Sequence, residues 1–310
     1  MIIANTEDGI LLRWRDEEEN RRDRHIPFSE FSPYFFIENR NHTLKDKIVL
    51  HEGRSKPFFV HLSYEEGDWV NLDGQKLLKV TWTPYKTRYT KSGKMISKIR
   101  GDFHNRGINT YEADVRHHYR YAVDEITEMP QYRMRKWYWD MEWMQGGKHD
   151  GAITAIVVYD NFDDEYYTLT WQPDSEESER TILERFILMI TEKDPDMLIS
   201  WFGWKFDLPK LIERLDVNGI DPRLLSPVQE LTGVEWSISQ GSRILKKKQI
   251  ENYSPIAQPI KGRICVPLDL AFERQWNDAQ KGTLPSLSLD YVSEYALDWL
   301  CYWRVVLYLF

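Results

Sequence analysis

The run "KWYWDMEWM" (136–144) admits few folds. It is aromatic and apolar except for its first lysine and two acids, Asp140 and Glu142, with Arg133 and Arg135 before it and the loop-like "QGGKHDG" after it. Such a run, ended by glycine at Gly146, predicts a short buried β-strand. Residues i and i+2 of a strand share a face, so both acids point the same way. Two carboxylates side by side in an apolar element lose hydration and repel each other unless a cation sits between them. A metal site is therefore the first expectation, with its other ligands supplied elsewhere in the chain.

The surroundings of this strand predict two domains. Before it, "FSPYFFIE" (31–38), "KPFFVHL" (56–62), "KLLKVTWTPY" (76–85) and "KMISKIR" (94–100) are strand candidates separated by turns, which makes residues 1–128 a β-rich unit. From 129 to 310 strands alternate with helices. Strands are expected at 136–143, 152–159, 166–171, 196–201 and 264–269, and helices at 176–193, 208–218, 270–278 and 287–298. A polar hairpin-like stretch covers 236–265. That order predicts an α/β domain with a mixed central sheet. Ser175 is the expected cap of the helix 176–193, with Glu176, Glu177 and Glu179 complementing its dipole. The acidic cluster "DNFDDE" (160–165) reads as a solvated hairpin, and "RHH" (116–118) as surface.

In "LISWFGWKFDLPKLIERL" (198–215) an apolar strand is followed by a glycine turn and by Asp207 at a helix start, with Pro209 in the first turn. Asp207 can be an ordinary helix cap. It also follows a strand end, where ligands gather in open α/β sheets, within reach of Asp140 and Glu142. A carboxylate pair on a strand plus a third acid on a strand-to-helix turn suits two-metal phosphodiester hydrolysis, in which ions about 3.5–4 Å apart hold the attacking and leaving oxygens. Oxygen ligands without a His or Cys cluster favour Mg²⁺ or Mn²⁺ over zinc.

These motifs together resemble family B DNA polymerases. "YWDMEW" is similar to the family's first exonuclease motif, Asp-x-Glu, and "EKDPDMLISWFGWKFDLPKL" (192–211) to the second. "NTYEADVRHHYRYAVDE" (109–125) resembles the segment joining the N-terminal and exonuclease domains. "GRICVPLDLAFERQW" (262–276) and "LPSLSLDYVSEYAL" (284–297) resemble a later strand and helix. The resemblance implies a ribonuclease-H-like 3′→5′ exonuclease domain preceded by the family's β-rich N-terminal domain. It further implies that Asp140 bridges two metals, that Glu142 holds the nucleophile-side ion and that Asp207 holds the other. The implied partners are single-stranded DNA or a primer 3′ end, and polymerase domains encoded downstream or on another chain.

The chain departs from the family twice. Phe202 stands where the second motif usually has Asn. The third motif, Tyr-x-x-x-Asp, does not follow the "SLDYV" helix; "YALD" (295–298) has the wrong spacing, and "WLCYWRVVLYLF" (299–310) resembles nothing in the family. The sequence thus reads as a domain truncated at its C-terminal side, without polymerase motifs. The alternative to an exonuclease is a catalytically impaired piece that binds DNA or a polymerase partner.

The candidate DNA contacts are Met141 between the two acids, the aromatic set Phe202, Trp204 and Phe206, and basic residues in two segments. Lys86, Arg88, Lys91 and Lys94 belong to "YKTRYTKSGKMISKIR" (85–100), which contains no acid, and Lys246 and Lys247 to "SRILKKK" (242–248). Phosphate neutralisation interleaved with aromatic stacking is how single strands are held. The balance of 41 Lys and Arg against 49 Asp and Glu, a net charge of −8, argues against a protein that simply coats nucleic acid. The start lacks a signal-peptide pattern, no apolar run is long enough to span a bilayer, and only Cys265 and Cys301 occur. A cytoplasmic protein (the host cytoplasm for a viral one) without disulfides is expected.

Overall fold

The structure, a computed structural model, describes residues 1–6, 8–39, 44–50, 58–82, 92–172, 178–232, 234–239, 242–247, 258–279 and 282–296. It divides into two compact units, Met1–Arg133 and Met134–Phe310.

In the first unit β1 (Ile2–Asn5), β2 (Gly9–Arg15) and β3 (Arg21–Pro27) form an antiparallel sheet. A second sheet has the order β5-β6-β7-β4-β8, built from β4 (Tyr34–Glu38), β5 (Lys47–Leu50), β6 (Phe58–Val70), β7 (Lys76–Trp82) and β8 (Thr110–Tyr111). Alternation along β4 and β7 sends Phe35, Ile37, Leu78 and Val80 into a core closed by Ile99 and Phe103 of α1 (Ser92–Asn105). The segment 94–100 is thus helical and not the expected strand. Ile96, Ile99 and Phe103 recur at helical spacing, and the buried Phe103 lies beyond the end of the window that looked like a strand. In the "RHH" segment Arg116 is exposed, but the two histidines are not surface. His117 and His118 are buried in α2 (His117–Glu125), where the His117 ring packs 5.2 Å from those of Phe28 and Phe31, and burial pulls its pKa down to about 4.

The second unit is a mixed α/β body around a sheet of order β11-β10-β9-β12-β15. β9 (Lys136–Trp143), β10 (Ile153–Asp160) and β11 (Glu165–Thr170) are antiparallel, and β12 (Met197–Ser200) and β15 (Ile264–Pro267) run parallel to β9. Around them lie α3 (Glu179–Lys193), α4 (Leu208–Val217), α5 (Leu268–Asp278) and α6 (Leu289–Ala296). A separate antiparallel ribbon pairs β13 (Val234–Ser239) with β14 (Ser242–Lys247). Trp137, Trp139 and Met141 on one face of β9 pack with Phe186 and Ile190 of α3 and Leu211 and Leu215 of α4. Among the described residues no helix is long and apolar enough to cross a membrane.

Three polar groups hold this body together in ways the sequence did not announce. α3 begins at Glu179, where the Ser178 hydroxyl accepts from the Thr181 N–H; the expected cap Ser175 and the acids Glu176 and Glu177 lie outside the described residues. Glu179 is not a surface dipole partner. It is buried, accepts from the Ile153 N–H (2.8 Å), Arg214 Nε (2.7 Å) and Asn218 Nδ2 (2.9 Å), and takes a further very short bond from Arg214 Nη2. Burial alone would raise its pKa, but these donors outweigh burial and lower it. Glu179→Gln, which keeps the shape and loses the charge, is expected to cost about 2 kcal/mol in urea denaturation. Asp160, expected in a solvated hairpin, is fully buried and accepts from Trp137 Nε1 (2.6 Å) and Arg135 Nε (2.8 Å).

Candidate active site

The three expected carboxylates lie at one edge of the central sheet, on differently built supports. Asp140 and Glu142 face solvent from β9, whereas Trp137, Trp139 and Met141 alternate into the core. This qualifies the expectation of a short buried strand. Only one face of β9 is covered, so the two acids keep access to water and to whatever binds there. The protein around Asp140 still removes enough water to push its carboxyl above the usual range, against a lowering bond from the Met141 N–H. Met141 is 3% exposed on the opposite face, so the structure does not offer it as a DNA contact beside the acids.

Asp207 is reached through a different device. β12 ends at Ser200, and Gly203–Asp207 then form a single π-helical turn closed by the Leu208 N–H on the Gly203 carbonyl. Such turns insert a residue and re-aim the side chains that follow. Asp207 already has helical dihedrals (φ −62°, ψ −55°) and makes no capping bond, so the ordinary cap reading fails. The residue is 5% exposed, and its pKa is pushed up to about 6, first by burial and then by the charges of Asp140, Asp269 and Glu142, partly relieved by a bond to the Ser200 side chain. The shift also places Asp207 within electrostatic range of both acids of β9.

Gly203 makes the Ser200 contact possible. A Cβ on Gly203 would sit 2.3 Å from Ser200 Oγ, so any other residue there would turn the hydroxyl away. Ser200→Ala is expected to leave the fold intact and raise the Asp207 midpoint by about one pH unit, read by carboxyl NMR, because a bond to the ionised form is lost.

The aromatic candidates separate by burial. Trp204 is in the core, whereas Phe206 is 52% exposed and Phe202 is half-buried, their rings 5.5 Å apart and edge-on. Phe202 continues through Trp201 to Phe272 and Trp276 of α5, at centroid spacings of 6.3, 6.1 and 5.8 Å. Trp204 is therefore a packing residue, and Phe202 and Phe206 remain accessible. Lys86, Arg88 and Lys91 lie outside the described residues, as do the side chains of Lys94, Lys246 and Lys247.

The acids of the "DPD" lead-in to the second motif are structural. Asp194, in the left-handed region at φ +43°, caps α3 and accepts from Arg263 Nη1 (2.7 Å), and buried Asp196 accepts from the Arg135 N–H (2.9 Å). Residues the sequence reading missed are Ser200, Gly203 and Lys205, together with Asp269 in the first turn of α5. Among the described residues, no three His, Cys, Asp or Glu side chains are gathered closely enough to hold an ion as they stand.

Residues 142–270 match the family described as DNA polymerase family B, exonuclease domain. This segment is thus similar to the exonuclease domain of family B DNA polymerases. The matched span includes Glu142, Asp207 and Asp269, with Asp140 just ahead of it. The DNA polymerase of Thermococcus aggregans is 30% identical over 122 residues, 36% of this chain and 7% of that polymerase. Those of Thermococcus kodakarensis (26% over 228 residues) and Pyrococcus horikoshii (28% over 224) match 70% and 69% of this chain, and 13% and 18% of their own lengths. The chain therefore spans less than a fifth of these relatives.

Proposed function

We propose that the unit Met134–Phe310 is a ribonuclease-H-like 3′→5′ exonuclease that removes nucleotides from single-stranded or frayed 3′ ends, and that the unit Met1–Arg133 is the family's β-rich N-terminal domain. The observation that supports this reading is that Asp140 and Glu142 face out of β9 while the charges of both help to raise the pKa of buried Asp207. The sheet order, with the antiparallel β11-β10-β9 followed by parallel β12 and β15, supports the fold.

The donor set suits Mg²⁺ or Mn²⁺. Its oxygens are hard carboxylate donors; the charges of Asp140, Asp269 and Glu142 help to raise the pKa of Asp207, and the buried Asp269 Oδ1 has no hydrogen-bond partner. Asp140, Glu142 and Asp207 would hold the ions, which when bound supply an activated water and charge neutralisation at the phosphate. The chain's own residues do the rest. Ser200 orients Asp207, and the accessible faces of Phe202 and Phe206 offer stacking surfaces to unpaired bases. Phe202, in place of the usual Asn, offers the primer end a ring where a polar contact would stand.

A binding-only role is the second reading, favoured by the absence of a ready three-ligand cluster among the described residues. Melting with and without Mn²⁺, and oligonucleotide binding at graded salt, separate the two. The exonuclease reading predicts a Mn²⁺-induced rise in melting temperature that Asp140→Ala abolishes, and salt-sensitive binding that prefers single strands to blunt duplex. An identical Mn²⁺ shift in Asp140→Ala would overturn it.

A further inference from the structure

The parallel pairing of β9, β12 and β15 stops at one level, where β12 and β15 end while β9 runs on to Trp143 beside β10. Tyr138 of β9 pairs with Ile199 of β12, and Ser200 of β12 pairs with Pro267 of β15. Past this level the chain supplies Asp140 within β9, then Asp207 across the π turn after β12, then Asp269 after β15. The carboxyl edge of a parallel sheet is where ligands gather. Asp269 holds its position on this edge through its backbone, whose N–H donates to the Trp201 carbonyl (3.0 Å).

Asp269 is unusual in its environment. It is 1% exposed; Oδ2 accepts from Lys205 Nζ at 3.0 Å, while Oδ1, also buried, has no hydrogen-bond partner. The ordinary account of an acid in the first turn of a helix is favourable interaction with the helix dipole. A carboxylate serving only that purpose has no reason to leave water with one oxygen bare, since a buried charged acceptor without a donor is costly. Lys205 does not remove that cost. Its side chain is half exposed, reaches Asp269 from solvent and satisfies one oxygen only. The bare oxygen belongs to a carboxylate whose charge also acts on Asp207.

We propose that Asp269 is a fourth carboxylate of the metal site and that Lys205 is its counter-ion in the metal-free protein, supplying there the positive charge that a divalent cation supplies when bound. The inference rests on the reading of Asp140, Glu142 and Asp207 given above. Asp269 is a metal-binding residue, and Lys205 a positioning residue that acts through it. Because ammonium and divalent ion meet the same carboxylate, they oppose each other. Deleting the carboxylate weakens metal binding, and deleting the ammonium strengthens it while leaving the metal-free protein less stable.

Titration of the full chain with MnCl₂ in the absence of DNA, followed by calorimetry or by the Mn²⁺ spin-resonance signal, tests this. Asp269→Asn is expected to weaken Mn²⁺ roughly tenfold, in the range of supporting residues at metal sites. Lys205→Met is expected to tighten it severalfold and to lower the melting temperature without metal. A merely structural ion pair would lower the melting temperature of both variants and leave Mn²⁺ affinity unchanged, which would overturn the inference. If Asp269→Asn does not fold, Lys205→Met decides alone: tighter binding supports the inference and unchanged binding overturns it. Asp140→Asn separates the two levels of the reading. Weaker binding there, with unchanged affinity in the other two variants, sinks the role of Asp269 and keeps the site; unchanged affinity in all three sinks both.

Discussion

Asp207→Asn is expected to make the metal-free protein more stable at pH 7, by about 3 kcal/mol, while removing one of the carboxylates proposed to hold metal. The folded protein holds the Asp207 carboxyl at about 6 against an ordinary 3.8. The difference, at about 1.4 kcal/mol per pH unit, gives that order of magnitude. The sign follows from linkage. Between pH 3.8 and about 6 the folded state binds the Asp207 proton more tightly than the unfolded state, so stability falls as pH rises through this window. Below it the group is protonated in both states and carries no penalty, and above it the penalty is complete. Urea denaturation at several pH values should therefore show a gap between variant and wild type that is near zero at pH 3.5 and opens towards pH 7. Comparing the two proteins at each pH cancels groups that titrate in the opposite sense, such as Glu179, whose pKa is lowered. Saturating Mn²⁺ should close the gap by stabilising the wild type. A gap independent of pH would mean that Asp207 is not held against its neighbours' charge, and the shared acidic site would be lost with it.

Such destabilisation marks what sequence patterns could and could not reveal. The acids of β9 were legible because strand geometry fixes which side chains share a face, and the alternation of strands and helices after residue 131 was legible because apolar periodicity records burial. The same reading made β9 a buried strand without distinguishing its faces. An apolar run does not record whether the second face is covered, and Trp137, Trp139 and Met141 fill one face completely while the acids remain in water. It made a strand of 94–100 because the window stopped before Phe103 completed the helical stripe. Asp269 was passed over for a different reason. An acid in the first turn of a helix is so common that its pattern carries no information, and only its burial and bare oxygen distinguish it. The same holds for Gly203, whose need for glycine comes from Ser200 Oγ and not from its own dihedrals.

Digestion of a labelled single-stranded oligonucleotide by these 310 residues is expected to be slower, by on the order of 100-fold or more, than digestion by a longer version in which a Tyr-x-x-x-Asp helix follows α6. In the family the Asp of that helix completes one metal position and the Tyr orients the attacking water, and neither is present after α6 in this sequence. A water misplaced by about 1 Å is enough for a loss of this size. Asp290, in the first turn of α6, is exposed. Asp269 stands at the right edge of the sheet, so whatever residual digestion remains should depend on it as well as on Asp140. The measurement is release of nucleoside monophosphates with Mn²⁺ for the 310-residue chain, its Asp140→Ala and Asp269→Asn variants, and the longer version. Slow release abolished by both substitutions, and fast release by the longer version, is the expected pattern. Rapid release by the 310-residue chain that is lost in Asp140→Ala would show that residues already in this sequence supply what the third motif supplies elsewhere. Rapid release that survives Asp140→Ala would mean that the carboxylates of β9 are not the nuclease site.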